Sequence, residues 1–141
     1  MFNSKDKSGN SSNVQYDTLI SSKTAITGDI HFSGGLHVDG VIKGNLIAEA
    51  GSSAVVRVSN KGRVEGQIHA PNIIINGPVV GDIHAGEYIE LAKDAQVTGD
   101  VYYQMMEMVL GASVNGQLKH QTADAPAKKG KATAATAVKV D

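Results

Sequence analysis

The apolar residues of this chain come in short pairs two positions apart, and the pairs recur. Ile89-Glu90-Leu91 is followed seventeen residues later by Met106-Glu107-Met108. Upstream stand Ile73-Ile74-Ile75, Val56-Arg57-Val58 and Leu36-His37-Val38. Alternate-residue apolarity is the period of a strand that buries one face. A second phrase, aliphatic, any residue, Gly, polar, aliphatic, keeps step with the first. It begins as Ile26-Thr27-Gly28-Asp29-Ile30 and Ile42-Lys43-Gly44-Asn45-Leu46. Its later copies start at Val64, Val79, Val97 and Val114, and the six central glycines are separated by 16, 22, 15, 18 and 17 residues. No window carries an i, i+3, i+4, i+7 stripe long enough for a helix.

Repetition at a near-fixed period of about seventeen residues predicts stacked coils. Gly, Asn and Asp between the apolar pairs supply the corners. A coil of that length holds two or three strands and cannot bury its apolar face alone, whereas stacked coils hide a continuous aliphatic column. The expected fold is all-β, a single-stranded parallel β-helix (β-solenoid) of about six coils over residues 24–119. Ile26, Ile30, Leu36 and Val38 face inward in the first coil, and Met106, Met108, Val114 and Leu118 in the last. One coil departs from the pattern. Leu46 to Val56 takes ten residues where Ile68 to Ile73 takes five, so the surplus around Ala48–Ser53 reads as a loop at one corner.

Composition changes the picture only at the ends. Residues 1–23 are rich in Ser, Asn and Lys, and residues 120–141 in Ala, Thr and Lys; both read as disordered tails. Met1 and Phe2 beside Lys5 and Lys7 form a small apolar tip with positive charge, a pattern that suits an anionic membrane surface. Tyr16 to Ile20 is mildly apolar and suits the edge of the first coil. A formal net charge of −1 over 141 residues gives no reason to expect a nucleic-acid partner. With no Cys, thiolate metal sites and a Cys nucleophile are excluded. No apolar run is long enough for a transmembrane helix and the start lacks a signal-peptide core, so residence in the cytoplasm is the expectation.

Candidate chemistry is thin. His31, His69 and His84 hold equivalent places after the Gly phrase, and His69 and His84 fall in adjacent coils, as a metal-binding or catalytic pair would. Ile47, Tyr102 and Lys119 fill the same column in other coils, and no third ligand is assigned to the pair. A left-handed β-helix acyltransferase or metalloenzyme is the alternative reading. Its hexapeptide frame demands coils of eighteen, which the spacings of 15, 16 and 17 break. There is no phosphate loop, nucleophile elbow or HExxH motif, so no cofactor and no enzymatic activity are expected. A third reading is a monomeric adaptor that binds through the Ala48–Ser53 loop.

The end coils carry more information. No capping helix is visible at either end of the repeat, and an uncapped apolar end with unpaired strand edges is a template for stacking another copy. The expected polymer contacts are Ile26, Ile30, Leu36 and Val38 at one end and Met106, Met108, Val114 and Leu118 at the other. Three stretches are distinctive: Lys61-Gly62-Arg63-Val64-Glu65-Gly66-Gln67-Ile68, the run Asn76-Gly77-Pro78-Val79-Val80-Gly81-Asp82-Ile83, and the closing Val97-Thr98-Gly99-Asp100-Val101. In these the chain resembles the bactofilins, bacterial cytoskeletal proteins. The resemblance implies a right-handed β-helix and nucleotide-independent, non-polar filaments built by end-to-end stacking. It also implies a scaffold for cell shape and wall remodelling on the cytoplasmic face of the inner membrane, often with recruited peptidoglycan enzymes as partners. In that family an N-terminal Met-Phe with nearby lysines contacts membrane; Met1, Phe2, Lys5 and Lys7 match in part, with Asn3, Ser4 and Asp6 departing. An aromatic near the C-terminal end coil serves polymer contacts there; this chain has no Phe after Phe32, which leaves Tyr102, Tyr103 or the methionines.

Overall fold

The computed structural model describes residues 16–122 as sixteen short strands with no helix. Every pairing between them is parallel. The strands form three faces of a solenoid with six coils. The first face stacks Thr18–Ile20, Gly35–Val38 and Val55–Val58 with later segments ending at Met105–Met108. The second runs from Ala25–Thr27 to Ser113–Asn115, and the third from Ile30–Phe32 to Leu118–His120. Two long strands, Ile68–Ile75 and Ile83–Leu91, bend around the corner between the third and first faces and join them into one sheet.

Register follows the sequence phrases. Val64, Val79, Val97 and Val114 stack on the second face, while Leu46, Ile68, Ile83, Val101 and Leu118 stack on the third. Val56, Val58, Ile73, Ile75, Ile89 and Leu91 complete the column from the first face, all with no solvent exposure. No polar or charged residue among those described is buried. The core is therefore aliphatic throughout, and each rung repeats the last.

The Gly phrase spans a corner, which is why one phrase contributes to two faces. Val79–Val80 closes the second face and Ile83 opens the third, with Gly81 between them at φ 143°. A side chain at Gly81 would run into the carbonyl of Gly66 one coil away. Where the residue after the glycine is Asp or Asn, its side chain then staples coils together. The Asp29 carboxylate accepts the Asn45 N–H at 3.0 Å, and the side-chain Oδ1 of Asn45 accepts the Gln67 N–H at 2.8 Å. Asp82 and Asp100 repeat the device, accepting the N–H groups of Asp100 and Gln117.

The solenoid begins earlier than the repeat alone suggests. Thr18–Ile20 pairs with Leu36–Val38 and opens the first coil. Leu36 and Val38 consequently lie beneath a strand and are fully buried, so they do not form the free end surface assigned to them from the sequence. Ile20, at the C-terminal end of the mildly apolar Tyr16–Ile20 stretch, covers them.

Candidate assembly surfaces and a lateral groove

Both ends of the described solenoid leave the apolar column incompletely covered. Each of the six end strands pairs with a neighbour on one side only. At the N-terminal end Ile26 and Ile30 are partly exposed while packing on the core, and Leu19 is 62% exposed. At the C-terminal end Met106, Val114 and Leu118 are likewise partly covered, and Met108 is 45% exposed. Projecting furthest here are Met105 at 65% exposure, one of the methionines already offered as a polymer contact, and Leu110 at 95%, which the sequence does not single out. Leu110 sits in the turn before Gly111, a place where apolar periodicity carries no signal. Tyr103 packs on the core with its ring centroid 5.5 Å from that of His120, and Tyr102 lies on the outer surface instead. Met1, Phe2, Lys5 and Lys7 lie outside the described residues.

The histidine column is a ring stack on the third face. His69 and His84 are 4.3 Å apart between centroids with planes 6° apart, and Tyr102 continues the stack at 4.4 Å and 4°. Lys119 places its ammonium 5.2 Å from the Tyr102 centroid. Burial, with a smaller contribution from His69, holds the half-buried His84 below its ordinary pKa, against the pull of Asp82. Parallel imidazoles aim their lone pairs side by side, so the pair cannot converge on one ion. Among the described residues no three His, Asp or Glu side chains gather as a metal site would require. His31 is exposed at the N-terminal end, separated from His69 by Ile47.

Beside this stack runs a groove of about 540 Å³ along the corner between the third and first faces. Ala70 and Ala85, small and nearly buried, lie at its floor, and the ring stack lines one side. The loop expected around Ala48–Ser53 is present, occupying the six positions between Leu46–Ala48 and Val55–Val58, and it lines the same groove. At this corner the other coils spend one or two residues. Pro71 alone bridges one of them, whereas Gly86 and Glu87 face it from the next coil as a one-residue bulge. Both departures from the regular coil thus fall on one corner, and each brings a carboxylate to it, Glu49 and Glu87. Gln121 and Thr122 line the groove where the described chain leaves the last coil.

The comparisons with known proteins agree with this architecture. A family model described as "Bactofilin: Polymer-forming cytoskeletal" matches residues 18–119, starting at the strand that opens the first coil. Bactofilin BacO of Myxococcus xanthus (strain DK1622) is 31% identical over 102 residues, covering 72% of this chain and 78% of that protein. Bactofilin BacP of the same organism is 32% identical over 108 residues, covering 77% of this chain and 43% of that protein. No solved structure matches at a significant level. The six-coil solenoid is matched from residue 18 to residue 119 by this polymer-forming family, and the chain belongs to the bactofilins.

Proposed function

We propose that this protein is a cytoskeletal scaffold that stacks end to end, without nucleotide, into non-polar filaments. The observation that carries the reading is the pair of open ends. Each presents unpaired strand edges around a partly exposed apolar column. A second copy seated on either end would continue the ladder and cover Ile26 and Ile30, or Met106, Met108, Val114 and Leu118. Stacking that repeats without closing gives a filament. Neither step requires a phosphate site or a cofactor.

In the same reading the filament organises cell-shape or envelope machinery, including wall-modifying enzymes, from the cytoplasmic face of the inner membrane. The N-terminal Met1, Phe2, Lys5 and Lys7 supply the membrane contact. One such tip binds weakly, but a filament presents many at high local density, and the sum is held far more tightly than its parts. Flotation of the protein with anionic vesicles, compared with a Phe2→Ser variant, tests this contact.

Electron microscopy of the purified protein with no nucleotide added tests assembly. Val114→Asp or Leu118→Asp puts a charge on the C-terminal end, where the side chain is only partly covered. The parent is expected to form filaments. Either variant is expected to give short particles with an unchanged circular dichroism spectrum. Small discrete particles from the parent at every concentration would refute end-to-end assembly.

A further inference from the structure

The outer surface of the first face carries an ordered pattern that a single subunit does not use. Two outward columns run along it, each taking one residue per coil, and the strand register fixes both. One reads His37, Arg57, Ile74, Glu90, Glu107, from basic through a single apolar residue to acidic. The other reads Gly35, Val55, Asn72, Tyr88, Met105, from no side chain to large ones. Each series reverses its character about the coil that holds Asn72 and Ile74. The other faces lack this order. The last three strands of the second face present no charged side chain, and the third is occupied by the ring stack.

Such columns are self-complementary under one operation, a two-fold axis in the contact plane, along the strands at Ile74. It sets a second copy face to face with its coils in reverse order. Arg57 then stands opposite Glu90 and His37 opposite Glu107, each twice, with Ile74 on Ile74 at the centre. In the other column Met105 lies over Gly35, and Tyr88 packs on Val55. Asn72 meets Asn72, whose amide both donates and accepts. A copy running the same way would set Arg57 level with Arg57 and Glu90 level with Glu90. Among the described residues neither Arg57 nor Glu90 is engaged in an ion pair, and both are partly exposed. His37 is held by Asp39 at 2.9 Å and Glu107 accepts the Tyr88 O–H at 2.9 Å, so Arg57 and Glu90 carry the charge contact.

We propose that the first face is a second self-association surface, on which two copies pair side by side and antiparallel about Ile74. The contact lies on the flank of the rod and leaves both ends open, so it joins single subunits or ties one filament to another. Five facing rungs of one four-residue strand measure about 24 Å by 13 Å, roughly 300 Å² a side. That is under half of what a standard interface takes from each partner. A single pair therefore exchanges quickly, and covalent trapping is the way to read it.

The chain has no Cys, so Ile74→Cys places a single thiol at the two-fold axis. Facing sheets stand about 10 Å apart, within reach of a short bismaleimide, whereas across an end junction two copies of residue 74 are about 24 Å apart or more. Full-length Ile74→Cys is expected to give a covalent dimer well above the yield of Thr98→Cys, an exposed position on the second face. Adding Arg57→Glu or Glu90→Arg opposes like charges twice per pair and should lower the yield about three- to tenfold. Both changes in one chain exchange the charges and should restore it, since residue 57 of each copy meets residue 90 of the other. All these positions face outward, and each variant should keep its circular dichroism spectrum. A yield no higher than that of Thr98→Cys, single reversals without effect, or no recovery in the double variant would overturn the antiparallel pair. Electron microscopy of the same samples reads end-to-end assembly separately. Filaments without the residue-74 dimer refute the flank contact alone, and the dimer without filaments refutes the stacking alone.

Discussion

At the scale of single residues the corner glycines do two separate jobs, and the structure allows them to be measured apart. Gly28 and Gly81 occupy the same place in their coils and both sit at positive φ, 125° and 143°. A Cβ at Gly28 meets nothing within 4 Å, because among the described residues no coil lies beyond it on that side. At Gly81 the same atom would collide with the Gly66 carbonyl. Gly28→Ala should therefore cost only the backbone strain, about 1–3 kcal/mol. Gly81→Ala should cost that plus about 1–3 kcal/mol for the steric overlap. Thermal unfolding of the two variants below the concentration of assembly checks the ranking, and equal losses would contradict it. The neighbouring Asp and Asn residues explain why the phrase is so regular. Each staples its coil to the next through a backbone N–H, whereas Gln67, one methylene longer, pairs its amide oxygen with the His69 ring at 2.8 Å.

Elements were legible wherever periodicity carried them and obscure wherever an edge or a corner did. The inward sets of coils three to five were readable as strands because each alternates buried and outward positions, as in Ile73-Ile74-Ile75. The division into three faces was less visible, since the Gly phrase reads as one segment and folds as two. Thr18–Ile20 was read only as a mildly apolar edge because it lacks a Gly phrase before it, yet it forms the opening strand. The loop was predicted from spacing alone. That it shares a groove with the histidine column was not, because sequence spacing does not say which corner a surplus residue leaves. The opening strand has a testable consequence. Leu36 is fully buried under it, whereas Ile26 is partly exposed at the end. Leu36→Ala should destabilise the fold by about 2–5 kcal/mol. Ile26→Asp should leave the circular dichroism spectrum unchanged and impair assembly. Urea unfolding together with sedimentation separates the two, and an Ile26→Asp variant that unfolds outright would show that the first coil has no tolerance at its edge.

Over the whole molecule the solenoid is a short rod whose two ends are chemically different. The N-terminal end offers branched aliphatics, Ile26 and Ile30, and the C-terminal end offers Met105, Met106, Met108 and Leu110. Head-to-tail stacking would join unlike surfaces and give every subunit the same direction. Like-to-like stacking joins each surface to itself about a two-fold axis, alternates the direction and yields a non-polar filament. The two arrangements differ in axial repeat by a factor of two. Six coils at the usual strand spacing advance about 29 Å per subunit, so the polar filament repeats at about 29 Å and the non-polar one at about 58 Å. Diffraction or image averaging of filaments should show the strand spacing of about 4.8 Å along the axis in both cases. The proposed non-polar assembly requires the longer repeat, and a filament indexed wholly on the shorter one would make it polar. The repeat also decides where charge lies. Like-to-like joining brings the C-terminal halves of neighbouring subunits together, and coils four to six carry six carboxylates against two lysines in each half, so that junction should tighten as salt screens the repulsion. Filament length rising with ionic strength, with an abrupt dependence on the Leu118→Asp change, would place the methionine-rich ends in contact with one another.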